Sequence, residues 1–229
     1  MKRHGQISES FVLCAMLAVT GGFFDAYTYL ERGGVFANAQ TGNIVLLGIS
    51  VAKGEWEKIC SYLIPICAFA LGVLIAELIK SRYRNRDDIN IHWRQLIILA
   101  EFVIVAAVSF LPQGEPFDLI VNVAISFVCA LQVESFRKVK GSAFATTMCT
   151  GNLRSGTEQL ACWWRTRDQE AKRKCLRSYA IILFFLVGAG TGCVLSALFE
   201  AKALLCCCVI LFLVFLMMFV KEEEKKEIQ

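Results

Sequence analysis

The sequence predicts an all-α, polytopic integral membrane protein. Six transmembrane helices form two inverted three-helix repeats, each with a re-entrant or interfacial half-helix after its first span. Three observations predict this. Apolar residues come in long blocks, cations collect in alternate loops, and a Thr-Gly-Asn triplet recurs 109 residues apart in apolar surroundings.

Of 229 residues, 56% are hydrophobic, above the roughly 45–50% of a soluble domain. The blocks run at about 11–30, 59–79, 95–112, 117–135, 178–199 and 203–220. Each approaches the roughly 20 residues that a helix needs to cross about 30 Å of hydrocarbon. Backbone polar groups in lipid must be satisfied within the segment, so these blocks are helices unless they close a barrel, and the alternation of barrel strands is missing. Lys2 and Arg3 before the run from Phe11 to Phe24 imitate a signal peptide, but no convincing small-x-small cleavage site follows. Most of the eleven cysteines sit inside apolar blocks, where a thiol acts as a small hydrophobe. With no C-x-x-C and only His4 and His92, neither a metal nor another cofactor is expected.

Charge sets the expected orientation. With the N-terminus and even-numbered loops cytoplasmic, that side holds 20 of the 24 Lys and Arg, leaving Arg32, Lys53, Lys58 and Lys202 outside. The positive-inside rule then puts both termini in the cytoplasm. Counting the triplet segments as further spans sorts the charge less well, so 35–52 and 142–164 are read as loops or re-entrant hairpins.

The 109-residue shift places Thr41-Gly42-Asn43 on Thr150-Gly151-Asn152, Asp25 on Glu134 and Tyr27 on Phe136. The second span of each half is offset further, by about 120, with the extra length assigned to "WWRTRDQEAKRKC". Residues 1–113 form the first repeat, 114–221 the second and 222–229 a charged cytoplasmic tail. Three spans per half mean that the second enters the membrane upside down, as in many transporters and channels.

Two stretches, "GGFFDAYTYLERGGVFANAQTGNIVLLG" and "LQVESFRKVKGSAFATTMCTGNL", resemble the two signatures of the YoaK-like family of bacterial membrane proteins, domain of unknown function 1275. The resemblance covers about 10–220. It carries over onto Gly22, Asp25, Ala26, Phe36, Thr41, Gly42 and Asn43, and onto Gln132, Arg137, Thr147, Thr150 and Gly151. The family's second half has Gln-Asn where this chain has Gln132-Val133-Glu134. The resemblance implies a multi-pass protein of the bacterial inner membrane and no settled activity.

The candidate solute-pathway residues are Asp25, Thr41, Gly42, Asn43, Gln132, Glu134, Thr150, Gly151 and Asn152. Asn before an apolar run is a good helix N-cap, and Gly before it permits close backbone approach. Capped helix starts inside a membrane present a partial positive end suited to an anion or polar solute; on the surface they carry no such role. "LRSGTEQLACWW" is amphipathic, which fits a helix lying along the cytoplasmic interface. A carboxylate at mid-bilayer costs about 2.5–3.5 kcal/mol on insertion scales, so Asp25 and Glu134 are expected to be paired or functional. Glu101 is expected to pair with Arg94 or snorkel, and Glu77 to lie at the interface near Lys80. Gly72 and Ala76, and Gly188, Gly190, Gly192 and Ser196, form small-residue faces for close helix contact.

The expected function is a small transporter or channel for a small polar or anionic solute. The alternative is a membrane scaffold with a basic cytoplasmic docking face. No catalytic motif points to an enzyme. Expected partners are the lipid bilayer and the solute, with no nucleic acid; a homo-oligomer stays open.

Overall fold

The computed structural model describes residues 11–83, 93–136 and 149–219, and the backbone of 138–139 and 142–143. Among them are α1 (Phe11–Glu31), α2 (Gln40–Lys53), α3 (Trp56–Tyr83), α4 (Trp93–Val108), α5 (Phe117–Ser135), α6 (Cys149–Thr166), α7 (Gln169–Phe199) and α8 (Leu204–Met217). A 3-10 turn, Glu200–Ala203, joins α7 to α8. Between α5 and α6, β1 (Lys138–Val139) pairs antiparallel with β2 (Ser142–Ala143), a small addition to the expected all-α chain.

Among the described residues, four stretches are long and apolar enough to cross a membrane: Phe11–Glu31, Trp56–Arg82, Phe117–Ser135 and Gln169–Met217, the last holding α7 and α8 in succession. The fourth expected block, 117–135, coincides with α5. The third and sixth correspond to shorter helices, α4 of 16 residues and α8 of 14. α4 stops before Pro112, because the residue preceding a proline is driven out of the helical region. α7 starts at Gln169, earlier than the block at 178, because Asp168 caps it by accepting from the N–H groups of Glu170 and Ala171. A Glu170–Lys174 pair at 2.9 Å then supports the charged first turns.

Helix ends gather into two sets. At one end Arg32, fully buried, donates to the Tyr27 hydroxyl at 2.9 Å, to the carbonyls of Pro112 and Leu111 at 2.6 and 3.0 Å, and to Asp118 Oδ1 at 3.0 Å. The Tyr27 hydroxyl donates to the Ala201 carbonyl at 3.2 Å, so the α1 end, the α4–α5 turn and the α7–α8 turn meet there. At the other end Lys80 pairs with Glu134 at 3.2 Å, and Gln95 Nε2 donates to the Met218 carbonyl at 3.2 Å. There the ends of α3, α5 and α8 meet the start of α4.

α1 packs against α7, and α5 against α3, each pair in parallel. Glycine permits the approach. A Cβ on Gly188 would strike the Val19 carbonyl oxygen, one on Gly22 the Phe185 carbonyl oxygen, and one on Gly72 would sit 2.7 Å from the Ala130 Cβ. Gly190, expected on the same face, has nothing within 4 Å of a Cβ. Its i+2 spacing from Gly188 turns it away from α1.

α1 and α5 are central, with 72% and 56% of their most apolar windows buried, against 28% for α3 and 33% for the α7–α8 stretch. The outer helices present Leu71, Leu74, Leu78, Leu183, Leu186 and Leu198 outward. A continuous apolar exterior of this kind is what lipid as solvent allows.

α2 and α6 are peripheral. α2 packs on α3 and buries only Asn43 and Ser50; α6 packs on α7 and buries only Asn152 and Gly156. α6 runs antiparallel along α7, with Gly156 against Ser178 and Tyr179, and the Thr157 and Tyr179 hydroxyls 3.0 Å apart. The amphipathic segment expected along the interface is therefore one arm of a helical hairpin. Arg167 and Lys172 cover Trp163 at its far end, 5.5 and 5.3 Å from ring centroids.

Candidate functional site

The stretch between α1 and α2 reverses direction at Gly33 and Gly34, whose φ values of +78° and +75° favour residues without a Cβ. Residues 36–39 then return along α1. Thr28 Oγ1 accepts from the Ala37 N–H at 3.2 Å while donating to the Phe24 carbonyl at 2.8 Å. Asp25 Oδ1 accepts from the N–H groups of Asn38 and Ala39 at 2.7 and 3.2 Å. The carboxylate of α1 thus satisfies the free donors ahead of α2.

That arrangement corrects the expected role of Asn43. α2 begins at Gln40 with Ala39 at its N-cap and no side-chain cap bond, so Asn43 lies inside the helix. Its amide clamps the returning chain instead. Oδ1 accepts from the Phe36 N–H at 2.9 Å, and Nδ2 donates to the Phe36 carbonyl at 2.6 Å and to Gln40 Oε1 at 3.0 Å. Asn43 has no capping role here because α2 starts three residues earlier, and Asp25, on another helix, holds the two amides just ahead of that start. Gly42 leaves room for the Phe36 ring, whose Cδ2 would lie 2.7 Å from a Cβ at that position. α6 likewise begins at Cys149, ahead of its triplet, and Asn152 is buried within its first turns.

A cavity of about 600 Å³ lies where the starts of α2 and α6 meet. Asp25, Thr41, Thr150 and Gly151 all line it. So do Asn38, Gln40 and Cys149, and an apolar wall of Tyr29, Phe36, Phe69 and Phe185. Tyr29 and Phe36 stack at 4.7 Å with their planes 18° apart. Asp25 is the one ionisable carboxylate in the lining, and no Lys or Arg stands there among the described residues. Asn38 and Gln40 were detectable as polar residues in an apolar stretch. Phe69 and Phe185 were not, since each sits in a span rich in similar residues.

The other five candidates stand away from this lining. Gly42 and Asn43 support its wall, and Asn152 is buried in α6. Gln132 is fully buried between α5 and α1, where Nε2 donates to the Leu17 carbonyl at 2.9 Å and Oε1 meets no donor among the described residues. Glu134 is held by Lys80 at the C-terminal end of α5 and does not line the cavity. Glu101 departs from expectation: it is fully buried, and neither carboxyl oxygen has a hydrogen-bond partner among the described residues. Arg94 lies instead against the rings of Trp93 and Phe136, at 5.3 and 5.9 Å. Arg94 stands seven residues before Glu101, about 10 Å of rise along α4, which is beyond the reach of an ion pair. Arg137 and Thr147 fall outside the described residues.

The family model "Protein of unknown function (DUF1275)" matches residues 13–217. The UPF0700 transmembrane protein YoaK of Bacillus subtilis (strain 168) is 29% identical over 181 residues, covering 77% of this chain and 80% of that one. No solved structure matches. With both signatures inside the matched region and apolar helices throughout, this chain is a transmembrane member of the DUF1275 family.

Proposed function

We propose that the protein is a small transporter or channel of the bacterial inner membrane, built from two inverted three-span repeats, with its solute path through the cavity at the paired helix starts. The observation that carries this reading is the convergence of Asp25, Thr41, Thr150 and Gly151 on one cavity, although the two triplets lie 109 residues apart. α2, of 14 residues or about 21 Å, is too short to cross. Its outward side chains Ile44, Val45 and Ile49 suit lipid rather than water.

The helix contacts support the repeat. Exchange of the two halves turns the α1–α7 contact into α5–α3, α2–α3 into α6–α7, and α1–α8 into α5–α4, and all of these occur. At the 120-residue offset, Ala68, Gly72 and Ala76 fall on Gly188, Gly192 and Ser196, all buried. With the sorting of cations, this supports six crossings with both termini cytoplasmic. The lining favours the polar over the anionic solute, because an anion would meet the Asp25 carboxylate with no Lys or Arg beside it among the described residues. We assign the protein no catalysis.

Gly151→Leu tests the path. A Cβ there meets nothing within 4 Å among the described residues, and Gly151 lines the cavity, so a larger side chain would enter it. Proteoliposomes carrying the wild type should reswell after osmotic shock with glycerol, alanine or choline chloride as solute. The variant should fold normally yet lose that permeability. Equal reswelling by both proteins would remove the cavity from the path.

A further inference from the structure

We propose that the cavity binds an organic ammonium ion, a cationic amine with an apolar body. This proposal rests on the cavity being the solute site and names the class of solute it takes.

Charge comes first. Most amides at the α2 start are already engaged, which weakens it as an anion site. Asn38 and Ala39 donate to Asp25, Gln40 N–H to the Asn38 carbonyl at 2.9 Å, and Gly42 N–H to the Ala39 carbonyl at 2.8 Å. The bonds from Asn38 and Ala39 both fall on Oδ1, and the Asp25 side chain lines the cavity, so Oδ2 is the oxygen offered to an occupant. Asp25 is only 6% exposed, so a cation at Oδ2 would be largely shielded from water. Shielding strengthens the pairing.

The walls specify the rest of the ligand. Tyr29, Phe36, Phe69 and Phe185 bring four aromatic rings to one cavity with the Asp25 carboxylate. Aromatic faces attract cations through the ring quadrupole, most strongly where water is scarce, and weakly hydrated ammonium groups benefit most. The same rings accept an apolar body. Thr41, Thr150 and Gln40 add neutral polar groups to the lining, which suit a hydroxyl or amide elsewhere on the solute. A volume of about 600 Å³ admits a multi-carbon amine and exceeds what an inorganic cation needs.

The test uses the full chain purified in detergent and titrated calorimetrically with four probes. These are choline, benzyltrimethylammonium, the uncharged choline isostere 3,3-dimethylbutan-1-ol, and inorganic phosphate. Choline should bind at least roughly tenfold more tightly than its isostere, the size of a shielded cation–π and ion contact. Benzyltrimethylammonium should bind more tightly still, and phosphate not at all. Asp25→Asn should erase the preference for charge, and Phe69→Leu should weaken both ammonium probes severalfold while leaving the isostere little changed. Should Asp25→Asn fail to fold because it organises residues 38–39, Phe69→Leu and the isostere comparison decide alone. Equal binding of choline and its isostere overturns the proposal, as does phosphate binding, or a retained lipid acyl chain that excludes all four probes. Ammonium binding without flux in proteoliposomes would sink the transport reading and spare this one. Flux of other solutes without ammonium binding would do the reverse.

Discussion

Gly72→Ala probes the parallel helix pairs that frame the cavity. The added Cβ would stand 2.7 Å from both the Ala130 Cβ and the Phe127 carbonyl oxygen of α5. Carbon atoms settle at about 3.5–4.0 Å, so α3 and α5 must part by roughly 1 Å. Both obstacles belong to α5's backbone or its Cβ, and no flexible side chain can yield. Overpacking of this kind costs about 1–3 kcal/mol, partly offset by up to about 1 kcal/mol of better helix propensity. The net expectation is a loss of about 1–2 kcal/mol. Gly190→Ala is the matched control, because a Cβ there meets nothing within 4 Å. It should be neutral or stabilising by up to about 1 kcal/mol. Reversible SDS titration in mixed micelles, followed by circular dichroism, measures both. Phe69 lies about one turn from Gly72 on α3, so Gly72→Ala should also alter ammonium affinity while Gly190→Ala should not. If the two variants lose equal stability, the close-packed helix pairs described above are wrong.

Two further outcomes follow from buried polar groups. Asn43→Ala removes both bonds to the Phe36 backbone and should cost about 1–3 kcal/mol in the same titration, with Asn43→Asp intermediate because it keeps the acceptor. A pure N-cap loss would instead spare the Phe36 environment, which a fluorinated phenylalanine at that position would report by NMR. Glu101→Leu should stabilise the protein by about 1–3 kcal/mol, since the carboxyl is buried without a hydrogen-bond partner among the described residues. A destabilised Glu101→Leu would mean that Glu101 is held by a contact made in another conformation.

The apolar blocks were legible because lipid imposes length and composition on each span separately, one helix at a time. α5 ran from the first to the last residue of its block for this reason. Triplet recurrence and the sorting of cations were likewise visible along the chain, since each needs only position in the sequence. α7's early start was readable only with the Asp168 cap in view, and α4's early stop only by giving Pro112 more weight than the apolar run.

Roles that depend on two elements meeting were not legible. The composition of "TGNIVLLG" fits an asparagine N-cap, and it fits equally an asparagine that clamps Phe36. Asp25, arriving from α1, decides between them by taking the leading amides. A phenylalanine in a membrane span reads the same whether it faces lipid or a cavity, so Phe69 and Phe185 gave no signal. The sequence by itself determined which stretches are apolar helices and that two of their starts are alike. Only the tertiary structure brought those starts to one cavity beside Asp25, because the side-chain contacts that distinguish a lipid-facing ring from a cavity wall are made between helices.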